Sequence, residues 1–324
     1  MPVRRVHRTL ALSLLSLALA LAPALPVAFA AKAPPAPLAA GPARPVYVGG
    51  AGGVQYRNMV VVLTWHDVEV KGIDGGDTIA TANFAAQMAA LRADHFHVIT
   101  PALFQAFVAG TKGVPDNAVL LTFDNGTVGV YTQAFPILRQ YRDPILLFPI
   151  FGRTDKHADF LTTTELHDLV ASGLVTLGSH TYQEHNGIAV GPGESEPADI
   201  GRQWNGTTVE SLAHYKARVL HDAGLAQAAI ESYEHRPEPF FSDPFGGYTP
   251  LLLSLIAQKG FTLDFTTFGW AVAPGAPADR LPRINVGTGQ STAATMVGAI
   301  LTVASDTAQS PNWHPPVSNV VVWH

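Results

Sequence analysis

Short apolar runs alternate with longer amphipathic segments over most of the chain, which predicts strands that alternate with helices. Strands are expected at 59–65, 96–100, 118–123, 144–150, 174–179, 240–242, 261–266 and 319–324, and helices at 82–94, 101–110, 130–141, 163–173, 208–223, 248–260 and 291–304. Pro136 is expected to interrupt the third helix. This alternation predicts an α/β fold around a parallel sheet, either open or closed into a barrel. In both forms the functional side chains gather where the strands end.

The first 57 residues have a different composition. A basic segment, MPVRRVHR, precedes an apolar stretch at 9–21, and a small-residue cleavage pattern ends at Ala30. This order predicts a signal peptide at 1–30, with an uncleaved membrane anchor as the alternative. Residues 31–57 are rich in Pro, Ala and Gly and are expected to form a disordered tether. Residues 58–324 are expected to form a single domain, secreted or associated with the cell envelope.

Composition excludes several kinds of chemistry. The chain has no cysteine, so a metal would have to bind His, Asp, Glu or Asn, and disulfides and thiolate nucleophiles are excluded. The formal net charge is −5 with 14% charged residues, which offers no basic face for nucleic acid. Beyond the possible anchor, no segment is apolar over the ~20 residues needed to cross a membrane.

Four polar clusters follow predicted strands. They are WHDV at 65–68, TFDNG at 122–126, SHTYQEHNG at 179–187 and FFSDPFGGY at 240–248. His180 and His185 are metal-ligand candidates, because neutral imidazole is a common ligand of zinc and similar ions. Two histidines five residues apart cannot share one face of a helix, so they would converge only across a strand end and the following loop. Taken alone, this spacing fits a metal site and a chance occurrence equally well.

Together these clusters resemble the motifs of the NodB-homology polysaccharide deacetylases, carbohydrate esterase family 4. The early HDV, the His-x4-His spacing and LPRINV at 281–286 are similar to the branch that N-deacetylates poly-β-1,6-N-acetylglucosamine. The resemblance covers about residues 59–290. It implies a distorted (β/α)7 barrel of parallel strands and a hydrolase that removes acetyl groups from an N-acetylglucosamine polysaccharide. It also implies a divalent metal ion, zinc first, with cobalt or nickel as alternatives.

The resemblance also implies roles for individual residues. Asp124 matches the general base and His66 the general acid, while His180, His185 and Asn125 match the metal ligands. The expected substrate-binding residues are Pro244, Phe245, Gly246, Tyr248, Tyr182 and Arg283. Phe245 stands where the family usually has Tyr.

Several side chains have two possible roles. Asp67 could orient the His66 ring or cap the next turn, and Arg283 could pair with the catalytic carboxylate or lie on the surface. Four aromatic residues could stack on sugar or pack in the core: Trp65, Tyr182, Tyr248 and Trp270.

Asn125 is the main departure from the family, which has Asp at this position. An amide oxygen can bind a metal but brings no charge, so affinity for zinc should fall. Three interpretations follow: an active enzyme in which Asn125 or a water completes the metal shell, an impaired homologue that binds glycan without hydrolysing it, or another metal-assisted amide or ester hydrolase. A non-catalytic secreted scaffold is a further alternative.

Overall fold

The computed structural model describes residues 44–321, in which helices and strands alternate as predicted. The helices are α1 Thr81–Ala93, α2 Pro101–Val108, α3 Phe135–Tyr141, α4 Thr163–Ala171, α5 Leu212–Glu234, α6 Pro250–Ala257 and α7 Ala293–Gln309. The strands are β1 Val46–Tyr47, β2 Tyr56–Arg57, β3 Val60–Trp65, β4 Asp67–Glu69, β5 Thr78–Ala80, β6 His97–Val98, β7 Ala118–Asn125, β8 Ile145–Pro149, β9 Val175–Leu177, β10 Gly187–Gly191, β11 Glu194–Pro197, β12 Phe240–Ser242, β13 Leu263–Phe265 and β14 Ile284–Asn285. A π-helical turn, Val130–Ala134, precedes α3.

The central sheet has six parallel strands in the order β14–β3–β7–β8–β9, with β6 beside the start of β7. A second parallel pair is formed by β12 and β13. Single parallel bridges connect the two sheets, from Ser179 to Phe241 and from Phe265 to Leu281. The parallel α/β fold is therefore confirmed, whereas a closed seven-stranded barrel stays a prediction because the sheets are joined by single bridges rather than continuous ladders.

Strand β3 shows why these runs become central strands. Its residues are all buried, and alternate side chains enter two different apolar clusters. Val61 and Leu63 belong to the cluster that includes the α1 side chains, while Val60 and Val62 share a cluster with β12 and β13. Burial on both faces explains the continuous β-branched run, which is typical of parallel strands covered on two sides.

The domain begins earlier than predicted. Within the expected tether, β1 and β2 form an antiparallel pair, and Tyr56 is fully buried with its hydroxyl donating to the Ala118 carbonyl at 2.8 Å. The Asn117 side chain accepts the backbone N–H groups of Gln55 and Tyr56 at 2.7 and 3.1 Å. These long-range contacts order residues 44–57, so the predicted boundary at 58 was wrong. The expected signal peptide and the tether up to 43 lie outside the described residues.

Three further elements differ from expectation. Helix α5 begins at Leu212 after a Ser211 cap and continues to Glu234, because apolar side chains keep facing the core past position 223. The β10–β11 hairpin was not predicted. Up to residue 321 the expected terminal strand consists of one antiparallel bridge from Asn319 to Tyr248, and its last residues lie outside the described range. Among residues 44–321, no helix combines the length and apolarity required to cross a membrane.

Candidate active site

The four predicted clusters meet around one cavity of about 340 Å³ at the carboxyl ends of the parallel strands. Its lining residues are Thr64, His66, Asp77, Asp124, Asn125, His180, His185, Asp243, Phe245, Gly246, Thr267, Arg283 and Asn285. They come from the ends of β3, β7, β12 and β13, from β14 and the residue before it, from the loop after β9 and, for Asp77, from the loop before β5. Parallel strands bring their carboxyl ends to one edge, which is why residues distant in sequence meet here.

A buried ion pair lies at the base of the cavity. Asp124 and Arg283 are 2% and 1% exposed, and the guanidinium donates from Nη1 to Oδ1 and from Nη2 to Oδ2, each at 2.8 Å. Nη1 also contacts Thr64 and Thr122, and Nη2 contacts Ser242 Oγ at 2.8 Å. Of the two roles considered for Arg283, the pairing with the carboxylate is the one present, since the side chain is not at the surface.

The charges around Asp124 keep it ionised. Burial by itself would raise the pKa of this carboxyl, but the Arg283 guanidinium, with smaller effects from His180 and His66, holds the pKa well below its usual range. Ser242 Oγ donates a further hydrogen bond to Oδ2 at 3.1 Å. Asp124 is therefore a fixed negative charge at neutral pH, with its position set by two side chains.

His66 stands beside this carboxylate. Its Nε2 lies 4.0 Å from Asp124 Oδ2, and the ring is partly exposed to the cavity. Asp67 does not hold the ring, because its Oδ1 accepts the Val68 backbone N–H at 2.9 Å and the Thr127 hydroxyl at 2.7 Å, while His66 Nδ1 is buried without a hydrogen-bond partner. The contacts of Asp67 therefore support a structural role, which ties the start of β4 to the loop after β7, over orientation of the His66 ring.

Three residues suited to metal binding line the same cavity. The His180 Nδ1–H donates to the Ser242 carbonyl at 2.8 Å, which leaves Nε2 with its lone pair free. His185 Nδ1 and Asn125 Oδ1 are both buried without hydrogen-bond partners, and the two imidazole rings are 4.4 Å apart at their centroids. Orphaned buried acceptors are costly, and a cation would satisfy them. These residues fit a divalent metal, although among residues 44–321 no group of three His, Asp or Glu side chains has the geometry for one.

Both histidines are neutral at physiological pH. Burial lowers the pKa of His180 to about 4, and burial together with the charge of His180 and Arg153 lowers the pKa of His185 further. A metal requires the neutral imidazole, so these pKa values favour binding without displacement of a proton.

The turn after β12 forms part of the cavity wall. Phe245 is 46% exposed, has a φ of 56° and places its ring 4.6 Å from that of His185. Gly246 has a φ of 70°, and a Cβ there would lie 2.3 Å from Thr267 Oγ1, so this position requires glycine. Pro244 is buried behind the turn and does not line the cavity.

The four expected stacking aromatics all lie outside the cavity lining. Tyr248 is fully buried, and its hydroxyl donates to the Pro316 carbonyl at 2.8 Å. Trp65 is also buried, stacks on Phe123 and donates from Nε1 to Gln87 at 2.9 Å. For Tyr248 and Trp65, core packing is therefore the alternative that burial and contacts support.

The other two aromatics are partly buried against protein neighbours. Tyr182 packs against the apolar core beside the 151–156 segment, and Trp270 lies 4.5 Å from the Trp313 ring at the centroids. Their contacts favour the packing alternative over sugar stacking.

Several site residues were not predicted from the sequence. Ser242 is the most connected, because its carbonyl holds His180 and its hydroxyl contacts both members of the buried ion pair. Thr64 and Thr122 lie side by side in the β3–β7 register, and a lone Thr within each apolar run was the available signal. At the cavity mouth, Asn285 donates to Asp77 at 2.8 Å.

Two buried carboxyl groups, Asp243 at the cavity wall and its neighbour Asp264, are predicted to make stability depend on pH. Burial raises the pKa values of Asp243 and Asp264, and the charge of each neighbour opposes ionisation of both together. Since the folded pKa exceeds the unfolded value of about 4, the stabilisation is full below that pH and is lost as the pH rises through the folded pKa. When the pH rises from 4.5 to 8.5, the free energy of unfolding should therefore fall less in Asp264→Asn than in wild type, as measured by urea titration. The same pH dependence of the unfolding free energy in wild type and Asp264→Asn would contradict this prediction. Asp116→Asn, which removes an exposed carboxylate, is the control and should follow wild type.

A family model described as "Polysaccharide deacetylase" matches residues 111–263, which include Asp124, both metal-candidate histidines and the turn after β12. A curated relative, the poly-beta-1,6-N-acetyl-D-glucosamine N-deacetylase of Escherichia coli strain K12, is 27% identical over 253 residues. That alignment covers 72% of this chain but only 38% of the relative, so the chain spans well under half of the relative's length.

Two solved structures have the same fold. A de-N-acetylase from Aggregatibacter actinomycetemcomitans superposes with a TM-score of 0.68 at 21% identity, covering 74% of this chain and 99% of that one. IcaB from Ammonifex degensii gives a TM-score of 0.61 at 24% identity, covering 76% and 97%. At these identities the structural likeness concerns the fold.

Proposed function

We propose that this chain, which matches a polysaccharide deacetylase model over residues 111–263, is a metal-dependent N-deacetylase of an N-acetylglucosamine polysaccharide. The observation that carries the proposal is the convergence of Asp124, His66, His180 and His185 on one cavity. The relatives named for poly-β-1,6-N-acetylglucosamine deacetylation support that polymer as the first substrate to test. We also propose that the protein is secreted or associated with the cell envelope.

In the proposed reaction, His180, His185 and Asn125 would hold a divalent cation, zinc first and cobalt or nickel as alternatives. The cation would acidify water and supply positive charge where negative charge develops on the acetyl oxygen. Asp124 is ionised at pH 7 and accepts the proton of the attacking water, while Arg283 and Ser242 keep its carboxylate oriented.

His66 donates the proton that the departing amine requires. Its Nε2 lies 4.0 Å from Asp124 Oδ2, on the side of the cavity where the amine would leave. Phe245, exposed at the cavity wall and held in a positive-φ turn, is the aromatic surface on which an acetylated sugar would rest.

The direct test is acetate release from β-1,6-linked N-acetylglucosamine oligomers with added zinc, cobalt or nickel. Acetate release that is abolished by chelation supports the proposal, and the absence of acetate release with all three metals overturns it.

The uncharged Asn125 favours a second candidate, a homologue that binds the glycan without hydrolysing it. That candidate predicts glycan affinity that survives both chelation and Asp124→Asn.

The Asn125→Asp variant measures what the missing charge costs. Both residues tolerate the left-handed conformation here, where φ is 70°, so the backbone should not change. An added anionic ligand beside a divalent cation is expected to tighten zinc binding at least about tenfold, because the interaction of opposite charges is strong in a buried site. Metal content and acetate release are measured together, with Asn312→Asp at the exposed surface as the control. Unchanged zinc affinity would show that residue 125 is not a ligand.

A further inference from the structure

The turn that carries the two histidines has a strained backbone. Thr181, between His180 and the rest of the turn, has a φ of 69°, which is rare for a β-branched residue. Its side chain is 1% exposed, and its Oγ1 is buried without a hydrogen-bond partner, so the side chain offers little to stabilise this conformation. Such strain persists only where the surroundings impose it, and it is common at functional sites.

A carboxylate from another element holds this turn. Asp222, in the middle of helix α5, accepts the backbone N–H of Tyr182 on Oδ2 at 2.8 Å and that of Gln183 on Oδ1 at 2.7 Å. The residue is only 7% exposed, so water competes little for these hydrogen bonds. Hydrogen bonds to an ionised acceptor are stronger than neutral ones, and two consecutive amides fix the direction of the chain.

The opposite side of the turn is held by the segment after β8. The Gly152 N–H donates to the Tyr182 carbonyl at 2.7 Å, and a Cβ on Gly152 would lie 2.5 Å from that oxygen. Arg153 Nη2 donates to the His185 carbonyl at 2.8 Å. The turn is thus clamped between α5 and this segment, and the Asp222 carboxylate is the part of the clamp that binds two successive amides.

We propose that Asp222 is a positioning residue of the metal site, which holds the strained 181–185 turn in the conformation that brings His185 to His180. This inference rests on the proposed metal-binding function. A helix could not align histidines five residues apart, so their 4.4 Å ring separation depends on the shape of this turn. Without Asp222 the turn is expected to relax toward negative φ at Thr181, and the His185 ring would leave the site.

The experiment compares Asp222→Ala with wild type by Co²⁺ titration, followed by visible absorption and by competition with a chelator. Removal of groups that orient metal ligands commonly weakens binding 10–100-fold, and a loss of about this size is expected here. Glu165→Ala is the matched control, because its carboxylate also accepts a backbone N–H, from Thr162 at 2.8 Å, but at the start of α4. The control should keep wild-type Co²⁺ affinity even if its melting temperature falls equally.

Two further measurements separate positioning from general stability. Hydrogen exchange of the peptide spanning 180–186 should accelerate in Asp222→Ala, because the amides of Tyr182 and Gln183 lose their acceptor. Adding Thr181→Gly in that background removes the Cβ that disfavours positive φ. The double variant should bind Co²⁺ at least threefold more tightly than Asp222→Ala alone. Faster exchange with unchanged Co²⁺ affinity overturns the inference, and failure of the Thr181→Gly rescue overturns the part assigned to strain. If wild type itself binds no Co²⁺, the proposed metal site fails first and this inference with it.

Discussion

Replacing Asp124 by asparagine is expected to lower kcat/KM for release of acetate from N-acetylglucosamine oligomers by about 10²- to 10⁴-fold, the range typical of a lost general base. The amide is close in shape to the carboxylate but cannot accept the proton of a water and be neutralised by it. The Asp124 side chain is buried at the base of the cavity, so no bulk solvent base can easily take its place. Initial rates at saturating zinc, with and without the substitution, measure the effect.

Two controls make this result specific. Circular dichroism and the melting temperature establish that the variant is folded, since Arg283 loses its anionic partner. Asp116→Asn removes an exposed carboxylate from a surface pair with Arg57 and should leave the rate unchanged. A rate within about threefold of wild type for Asp124→Asn would remove Asp124 from the mechanism.

The second large effect concerns stability. Arg283→Met is expected to lower the free energy of unfolding by about 3–5 kcal/mol, because it leaves the buried Asp124 charge without its partner. Methionine fills much of the same volume beside the Phe148 and Phe265 rings, so the loss reports the charge of Arg283, including its cation–π contacts with those rings, more than the volume. Urea unfolding at pH 7 measures it.

The matched control is Arg57→Met, since Arg57 pairs with Asp116 at 3.2 Å but the two side chains are 53% and 39% exposed. That substitution should lower the free energy of unfolding by about 0–1 kcal/mol.

The pH dependence of the unfolding free energy gives a second check. In wild type the low pKa of Asp124 contributes stability above the unfolded value of about 4, which is lost as the pH falls through the folded pKa. The difference in unfolding free energy between wild type and Arg283→Met should therefore become smaller below about pH 4. A difference that stays constant with pH would contradict the ion-pair explanation.

Part of the site was predictable from the chain alone because periodicity and motif order are local properties. The apolar run at 118–123 identified a buried strand, and its abrupt end at Asp124 placed a carboxylate at the functional edge of a parallel sheet. The spacing of His180 and His185 was likewise visible. The Asn125–Gly126 pair was compatible with a hairpin turn, and the structure uses its tolerance of positive φ to end strand β7 instead.

Other features depended on contacts between distant segments. Tyr248 and Trp65 had the chemistry of sugar-stacking rings, but burial removed both from the cavity, and burial is decided by what packs around a side chain. Ser242 and Asp222 had ordinary local surroundings, and their importance comes from hydrogen bonds to residues 39 or more positions away. Residues 44–57 resembled a tether in composition, yet one buried tyrosine and the Asn117 side chain are enough to attach them to the domain.

By itself, the sequence determined the parallel α/β alternation, the similarity to polysaccharide deacetylases and the candidate side chains that the structure brings to one cavity, because each follows from residue types at short spacing. Only the tertiary structure decided that Arg283 binds Asp124 through both terminal nitrogens, that Asp67 bonds to Thr127 rather than to His66, and that Asn125 and His185 line one cavity with a buried unpartnered atom each. The physical reason is that charge pairing, burial and hydrogen-bond satisfaction depend on distances through space, and the chain brings residues 124 and 283 together only when the sheet has formed.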